Sequence, residues 1–289
     1  MKKLYLISNI QQTNDNSNLV TCKLLTDACE VRGIEYEILD PATVNPLKVQ
    51  LQPGDGLYRI ATAHYNGAAE LEYMLVNPQV ATFLNNPLSL GDRRDATMYA
   101  KLNIAAPKTV NYVPSDRKVL LEVVEELGGF PVILKAMGGS HGVGVMRLDS
   151  PESLFSVSDF ARHGGSELLL KEYCNVRSSA RLIVLGDKVI DSIEYSAPKG
   201  DFRSNEGTSP NVSPRRFDAE VEQLAVHATN AQGLEFGGVD IMLTDDGPKV
   251  AEVNFPCFFP RCQMLTGTDI AGQMVDYLRK KSERIMDQQ

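Results

Sequence analysis

In the run GGVDIMLTDDGPKVAEVNF, residues 239–243 and 249–255 are rich in Val, Ile, Leu and Phe. Asp245, Asp246, Gly247 and Pro248 between them form a strong turn signal. Two antiparallel strands are predicted, and they constrain the chain more than any other segment because they carry acids on apolar strands. A turn centred on Asp246 sets Asp240 directly across from Glu252, with Cβ atoms roughly 5 Å apart. Asn254, two residues beyond Glu252, falls on the same face. Two carboxylates and an amide oxygen then converge. Buried carboxylates must be paired, neutralised or bound to metal, and an all-oxygen set suits a hard cation such as Mg2+ that also shares substrate phosphates. An exposed hairpin whose acids face water satisfies the same pattern, so this segment alone leaves both readings open.

The rest of the chain narrows the choice. A length of 289 residues predicts about two domains. A net charge of -8 without a long Lys/Arg block argues against a general nucleic-acid or membrane-surface role. MKKLYLISNI lacks the apolar core of a signal peptide, and no window approaches a membrane span. The five cysteines, Cys22, Cys29, Cys174, Cys257 and Cys262, are odd in number and scattered, which suits reduced thiols in a cytoplasmic protein. Cys257 and Cys262 flank FFPR, yet no second Cys or His pair stands at zinc-ligand spacing.

Along the chain, KLYLI (3–7), a helical stretch over 19–32 ended by Gly33, and YEILD (36–40) form a β-α-β opening, which predicts an α/β domain with parallel strands. A strand at 56–60, a helix at 68–76 and a strand at 80–85 complete it, with a boundary near Asn86 and Pro87. The loop SNIQQTNDN has no glycine, so the first strand does not open a dinucleotide-binding turn. Beyond the boundary, helices are predicted at 93–102, 117–127, 151–161, 218–232 and 269–284. Strands are predicted at 130–135, 145–149 and 167–174, and a hairpin over 181–197 turns at Gly186 and Asp187.

Gly138, Gly139, Gly142 and Gly144 lie between two strands, unlike the strand-loop-helix of a Walker A turn. Such a loop can close over phosphates as a flap that offers backbone N–H groups. Lys135 ends the preceding strand and can send a point charge toward phosphate oxygens; a flexible hairpin with a surface lysine fits the loop equally well. Arg203, with Ser204 and Asn205 in a polar loop, is of a type that stabilises a transferring phosphoryl group, although solvation explains it as simply. Lys171 and Glu172 interrupt the apolar run LLLKEYC, as happens where a strand leaves the core to line a base pocket, and also on many edge strands.

In this order the elements resemble the ATP-grasp superfamily, and most closely its RimK-like group of ATP-dependent glutamate and peptide ligases. FPVILKAMGGSHGVGV resembles the strand, lysine and glycine loop of that group, LLLKEYC its adenine hinge, and RLIVLGDKVI the following hairpin. APKGDFRSN resembles its arginine loop, GGVDIML with KVAEVNF its metal strands, and TGTDIAGQMVDYL its final helix. The resemblance covers approximately residues 88–278. It implies an α/β fold, α+β in its catalytic part: an N-terminal α/β pre-ATP-grasp domain over 1–87, then a two-lobed ATP-grasp domain over 88–289 with lobes at about 107–172 and 173–289.

The resemblance also implies ATP with Mg2+, or Mn2+ in its place, and two further substrates, a carboxylate and an amine. Lys135, Gly139, Ser140, Gly142, Gly144 and Ser204 would meet ATP, and Lys171, Glu172, Tyr173 and Cys174 would line its adenine. Arg181, Arg203 and Asn205 would face the phosphates or the acyl group, and Asp240, Glu252 and Asn254 would hold the metal. Arg59 and His64 are weaker candidates for substrate contact, and a homo-oligomer is compatible with the group. Two departures stand out: Ser178, Ser179 and Ala180 where the group has an acid for the ribose, and FPCFFPRC after Asn254 where it has small residues. A nucleotide-binding regulatory module and a small-molecule kinase are the rival readings of the same motifs.

Overall fold

The structure is a computed structural model that describes residues 1–9, 16–61, 67–85, 95–136, 144–165, 167–196 and 211–288. The opening unit is as expected: β1 (Lys3–Ile7), α1 (Asn16–Val31), β2 (Glu35–Leu39), β3 (Gly56–Arg59) and α2 (Ala68–Leu75). Its three strands are parallel in the order β2-β1-β3. Then follow α3 (Asp95–Lys101), β4 (Thr109–Val110), α4 (Arg117–Glu126), β5 (Val132–Ala136), β6 (Val145–Leu148), α5 (Pro151–His163) and β7 (Leu168–Glu172). The last third comprises β8 (Val176–Leu185), β9 (Lys188–Ser196), β10 (Val212–Pro214), α6 (Ala219–Ala231), β11 (Phe236–Thr244), β12 (Gly247–Asn254), α7 (Pro260–Thr266) and α8 (Ile270–Asp287). Among the described residues side-chain caps start four of the α-helices: Asp116 accepts from the Lys118 and Val119 amides, Ser150 and Ser153 form a reciprocal box, Asp218 accepts from Val221 N, and Asp269 accepts from Gly272 N.

Two antiparallel sheets carry the later residues, one in the order β4-β7-β5-β6 and one in the order β10-β9-β8-β11-β12. The four-stranded sheet has its own core, in which Val132, Leu134, Leu168 and Leu170 pack against Leu120 and Val124 of α4 and Leu154 of α5. The five-stranded sheet is covered on both faces. Ala180, Leu182, Val239 and Ile241 pack with Val221, Ala225 and Ala228 of α6, while Ile183, Ile193 and Phe236 pack with Phe259, Cys262, Met274 and Leu278. β1 joins both cores by simple alternation: Tyr5 and Ile7 belong to the first, Leu4 and Leu6 to the second. The opening unit and the five-stranded sheet therefore share their interior.

Residues 80–85 depart from expectation. Residues 80–84 are buried, but the segment makes only isolated bridges, Gly56 with Ala81 and Leu84 with Leu234. The segment changes partner midway: Leu57 N donates to Ala81 O at 2.9 Å, and Glu235 N donates to Phe83 O at 2.8 Å. It thus ties the edge of the first sheet to the entry of β11. Lys281 of α8 clamps it by donating to the Thr82 and Leu84 carbonyls, each at 2.9 Å, and to Glu235.

The β11–β12 hairpin pairs Asp240 with Glu252 and Gly238 with Asn254, as expected, but by another route. The turn holds two residues, Asp245 and Asp246, between the pair Thr244 and Gly247, and Gly247 takes φ +106. That turn alone would bring Asp240 opposite Ala251. Ala251 is instead left over as a bulge between the pairs Asp240/Glu252 and Ile241/Val250, which shifts the register by one. A bulge reverses side-chain parity, so Lys249, Glu252 and Asn254 all share the face of Asp240.

After β12 the segment Phe255 to Phe259 folds back across this face. Gly238 permits the approach: a Cβ there would lie 2.3 Å from Cys257 Sγ and 3.3 Å from Arg181 Nη1. Substituting Gly238→Ala should cost about 1–3 kcal/mol through overpacking, measured as a lower urea midpoint. Adding Cys257→Ala should recover part of the loss. An unchanged midpoint in the single variant would contradict this packing.

Candidate active site

Asp240 lies mid-sheet, opposite Glu252 on β12 and opposite Arg181 on β8. Arg181 grips it with two parallel hydrogen bonds, Nε to Oδ1 at 2.5 Å and Nη2 to Oδ2 at 2.8 Å, the bidentate geometry that suits a guanidinium to a carboxylate. Asn254 Nδ2 donates to Asp240 Oδ2 and to the Gly238 carbonyl, both at 3.2 Å. Burial works against the charge on Arg181, but Asp240 outweighs it and holds the guanidinium protonated well above its ordinary range. Arg181, Asp240, Glu252 and Asn254 thus form one polar row across three neighbouring strands. Among the described residues no hydrogen bond or ion pair engages Glu252, which is half-buried.

The four-stranded sheet presents the complementary charge. Lys135 is paired with Leu169 and Lys171 with Ile133, so the two lysines stand diagonally on one face, opposite the face that buries Leu134 and Leu170. Burial, then the nearby Lys135, push the Lys171 ammonium below the usual lysine range, against the pull of Glu252 and Asp95. Lys171 therefore stands within electrostatic reach of Glu252 across the two sheets. Strand parity turns its side chain the same way as Lys135. Asp95, at the start of α3, went unrecognised in the sequence, where an acid at a helix N-terminus reads as a cap or dipole partner.

Residues 172–174, expected at an adenine hinge, are among those described. Glu172 accepts from Lys249 Nζ at 2.5 Å and from Cys174 Sγ at 3.5 Å, and both members of the Glu172–Lys249 pair are largely buried. Burial opposes the Lys249 charge, yet Glu172 keeps its pKa above the ordinary value. Tyr173 stacks under the Arg147 guanidinium, 4.7 Å from the ring centroid. Gly144, at φ +85, closes the base of the glycine loop through Ala136 N to Gly144 O at 2.9 Å. Gly139, Ser140, Gly142, Arg203, Ser204, Asn205 and His64 lie outside the described residues. Arg59 is 3% exposed and bonded to Glu72 at 2.7 Å and to the Ala61 carbonyl at 2.7 Å, with Phe255 5.9 Å away. Its guanidinium is committed to holding β3, α2 and the segment after Asn254 together.

A thiol nucleophile has no support here. Burial pushes Cys22, Cys29, Cys174 and Cys257 up to about 11 and Cys262 up to about 12, so none is a thiolate at neutral pH. Among the described residues no group of three or more His, Cys, Asp or Glu converges as a metal site, consistent with a row that contains two carboxylates and an amide.

Solved structures of the same fold include a D-alanine–D-alanine ligase from Bacillus anthracis, with a TM-score of 0.69 at 14% identity, covering 99% of this chain and 98% of that one. A RimK domain ATP-grasp protein from Sphaerobacter thermophilus gives 0.63 at 20% identity, covering 95% and 98%. The architecture is that of the ATP-grasp ligases. Residues 93–278 match the RimK-like ATP-grasp domain, and the chain belongs to that family of ATP-dependent, ADP-forming carboxylate–amine ligases. It is 31% identical to a probable alpha-L-glutamate ligase of Serratia proteamaculans, over 92% of this chain and 94% of that protein. It is 28% identical to a ribosomal protein bS6–L-glutamate ligase of Escherichia coli, over 92% and 93%.

Replacing Asp240 by Asn leaves the largely buried Arg181 guanidinium without a counter-charge, and should cost about 3 kcal/mol in urea unfolding. The double change Arg181→Met with Asp240→Leu should recover much of that loss. A single variant within about 0.5 kcal/mol of the parent would show that the pair is not the sheet's electrostatic anchor.

Proposed function

We propose that this protein joins an amino acid, glutamate by its relatives, to a carboxyl group of a peptide, protein tail or small molecule, through an acyl phosphate. A carboxylate oxygen of the acceptor attacks the γ-phosphorus of ATP and ADP departs. The amine nitrogen then attacks the acyl carbon, phosphate leaves, and the nitrogen gives up a proton. No side chain has to become a nucleophile in either step. Alignment and charge neutralisation carry the rate, which fits a site built from lysines, arginine and oxygen donors.

The observation that carries this reading is the row on β8, β11 and β12, with Lys171 of the other sheet within electrostatic reach of both Glu252 and Lys135. Lys135 and Lys171 provide positive charge where the triphosphate would lie. Arg181 orients Asp240 through two hydrogen bonds. The oxygen set fits Mg2+: Asn254 spends its nitrogen on Asp240 and Gly238, which leaves its Oδ1 for a cation. The Glu252 carboxylate has no competing hydrogen bond among the described residues, and Asp240 Oδ1 keeps a lone pair beyond its bond to Arg181. Glu252, Asn254 and Asp240 would hold the ion, which supplies charge neutralisation at phosphate oxygens; Mn2+ suits the same donors. Arg203, Ser204, Asn205 and the glycine loop complete the site in this proposal by their match to the family pattern.

The proposal keeps a boundary near residue 87 and lobes at about 107–172 and 173–289. The separate core beneath the four-stranded sheet supports the smaller lobe. The acceptor end falls to the segment from Phe255 onward, and relatives named for glutamate support glutamate as the amine. No helix among the described residues is long and apolar enough to cross a membrane.

Changing Glu252→Gln or Asn254→Ala should leave the unfolding midpoint near that of the parent while ADP release in the presence of glutamate and acceptor peptides falls by about 100-fold or more. The check is a coupled ADP assay beside urea denaturation. Normal turnover in either variant would defeat the metal assignment.

A further inference from the structure

Among the described residues the chain crosses between the two lobes at two places, and both pass beside Lys249. In the first, Val250 N on β12 donates to Ala105 O at 2.8 Å and, three residues later, Lys108 O accepts from Glu172 N at 3.0 Å. The second is the short connection from the end of β7 at Glu172 to the start of β8 at Val176. It is laced to the β11–β12 turn by Asn175 Nδ2 to Asp245 Oδ2 at 3.1 Å and by Arg177 Nη2 to Thr244 O at 2.9 Å. Between the crossings, Lys249 of the large sheet reaches Glu172 of the small sheet at 2.5 Å, with side-chain exposures of 21% and 14%. The lysine reaches that position because the Ala251 bulge puts it on the face of Asp240 and Glu252.

We propose that Lys249 is a positioning residue: its ion pair with Glu172 pins the interlobe hinge and fixes how far Lys135 and Lys171 stand from Glu252 and Asn254. The proposal rests on the reading that ATP binds between the two lobes. Under that reading ATP is the substrate whose contacts come from both sides of the hinge, so it is ATP whose binding the pin controls. The amine and the acceptor, assigned to the large-sheet side, do not span it. Surface ion pairs hold geometry poorly, but a largely buried one with a neighbouring thiol donor on the same oxygen is well ordered.

The test compares Lys249→Met, Lys249→Arg, Glu172→Gln and the double variant Lys249→Met with Glu172→Gln. Steady-state kinetics is run with each substrate varied, and binding of a non-hydrolysable ATP analogue is measured by calorimetry. Lys249→Met should raise KM for ATP and Kd for the analogue about tenfold, with KM for glutamate and acceptor within about twofold. Lys249→Arg should stay within about threefold of the parent, and the double variant should be no worse than the worse single change. An unchanged KM for ATP in Lys249→Met, or a lowered thermal midpoint with all three KM values unchanged, would overturn the pin. If Lys249→Met does not fold, Glu172→Gln decides: a tenfold rise supports the pin and a parental value overturns it. A parent protein that fails to bind the analogue would overturn the ATP-site reading itself, whereas binding by the parent with parental affinity in the variants overturns the pin alone.

Discussion

The Arg181–Asp240 pair is the interaction on which the rest of the site depends. A carboxylate in the middle of a five-stranded sheet is tolerated because a guanidinium on the adjacent strand grips both of its oxygens. With that charge balanced, the same sheet face can carry Glu252 and Asn254 one strand further on without collecting an uncompensated pair of acids. The order is physical: Arg181 satisfies Asp240, Asp240 fixes the amide of Asn254, and Glu252, in the proposed reading, would turn its oxygens to a cation.

Much of this was legible in the sequence. The acids on an apolar hairpin were read from their residues and turn, and the strand carrying Lys135 from its apolar run. The pairing of Asp240 with Glu252 was also correct, although the true turn is one step tighter and a bulge restores the register. That compensation explains what went unseen. Lys249 and Glu252 are three residues apart and would sit on opposite faces of an unbroken strand, so no period-two reading connects them. That Lys171 shares a face with Lys135 is invisible in either strand alone, because the pairing that sets it belongs to β5 and β7 together.

Other omissions have equally local causes. β4 and β10 span two and three residues, too few to show alternation, and exist because longer neighbours offer them an edge. α7 hides in FPCFFPRC, where the apolar run lacks a clear period and Pro260 opens the helix at its first turn. The extended segment 80–85 read as a strand, yet it divides its hydrogen bonds between two sheets. That division has a structural consequence: it helps fuse the opening unit to the five-stranded sheet, while the four-stranded sheet keeps a core of its own.

The central claim is that an acceptor carboxylate attacks ATP before the amide forms, and its most direct test follows one oxygen atom. An acceptor peptide labelled with oxygen-18 in its reacting carboxylate is incubated with the protein, ATP, Mg2+ and glutamate, and the released phosphate is examined by mass spectrometry. The account predicts one labelled oxygen in each phosphate formed, together with a peptide extended by glutamate. Amide product accompanied by unlabelled phosphate would contradict it.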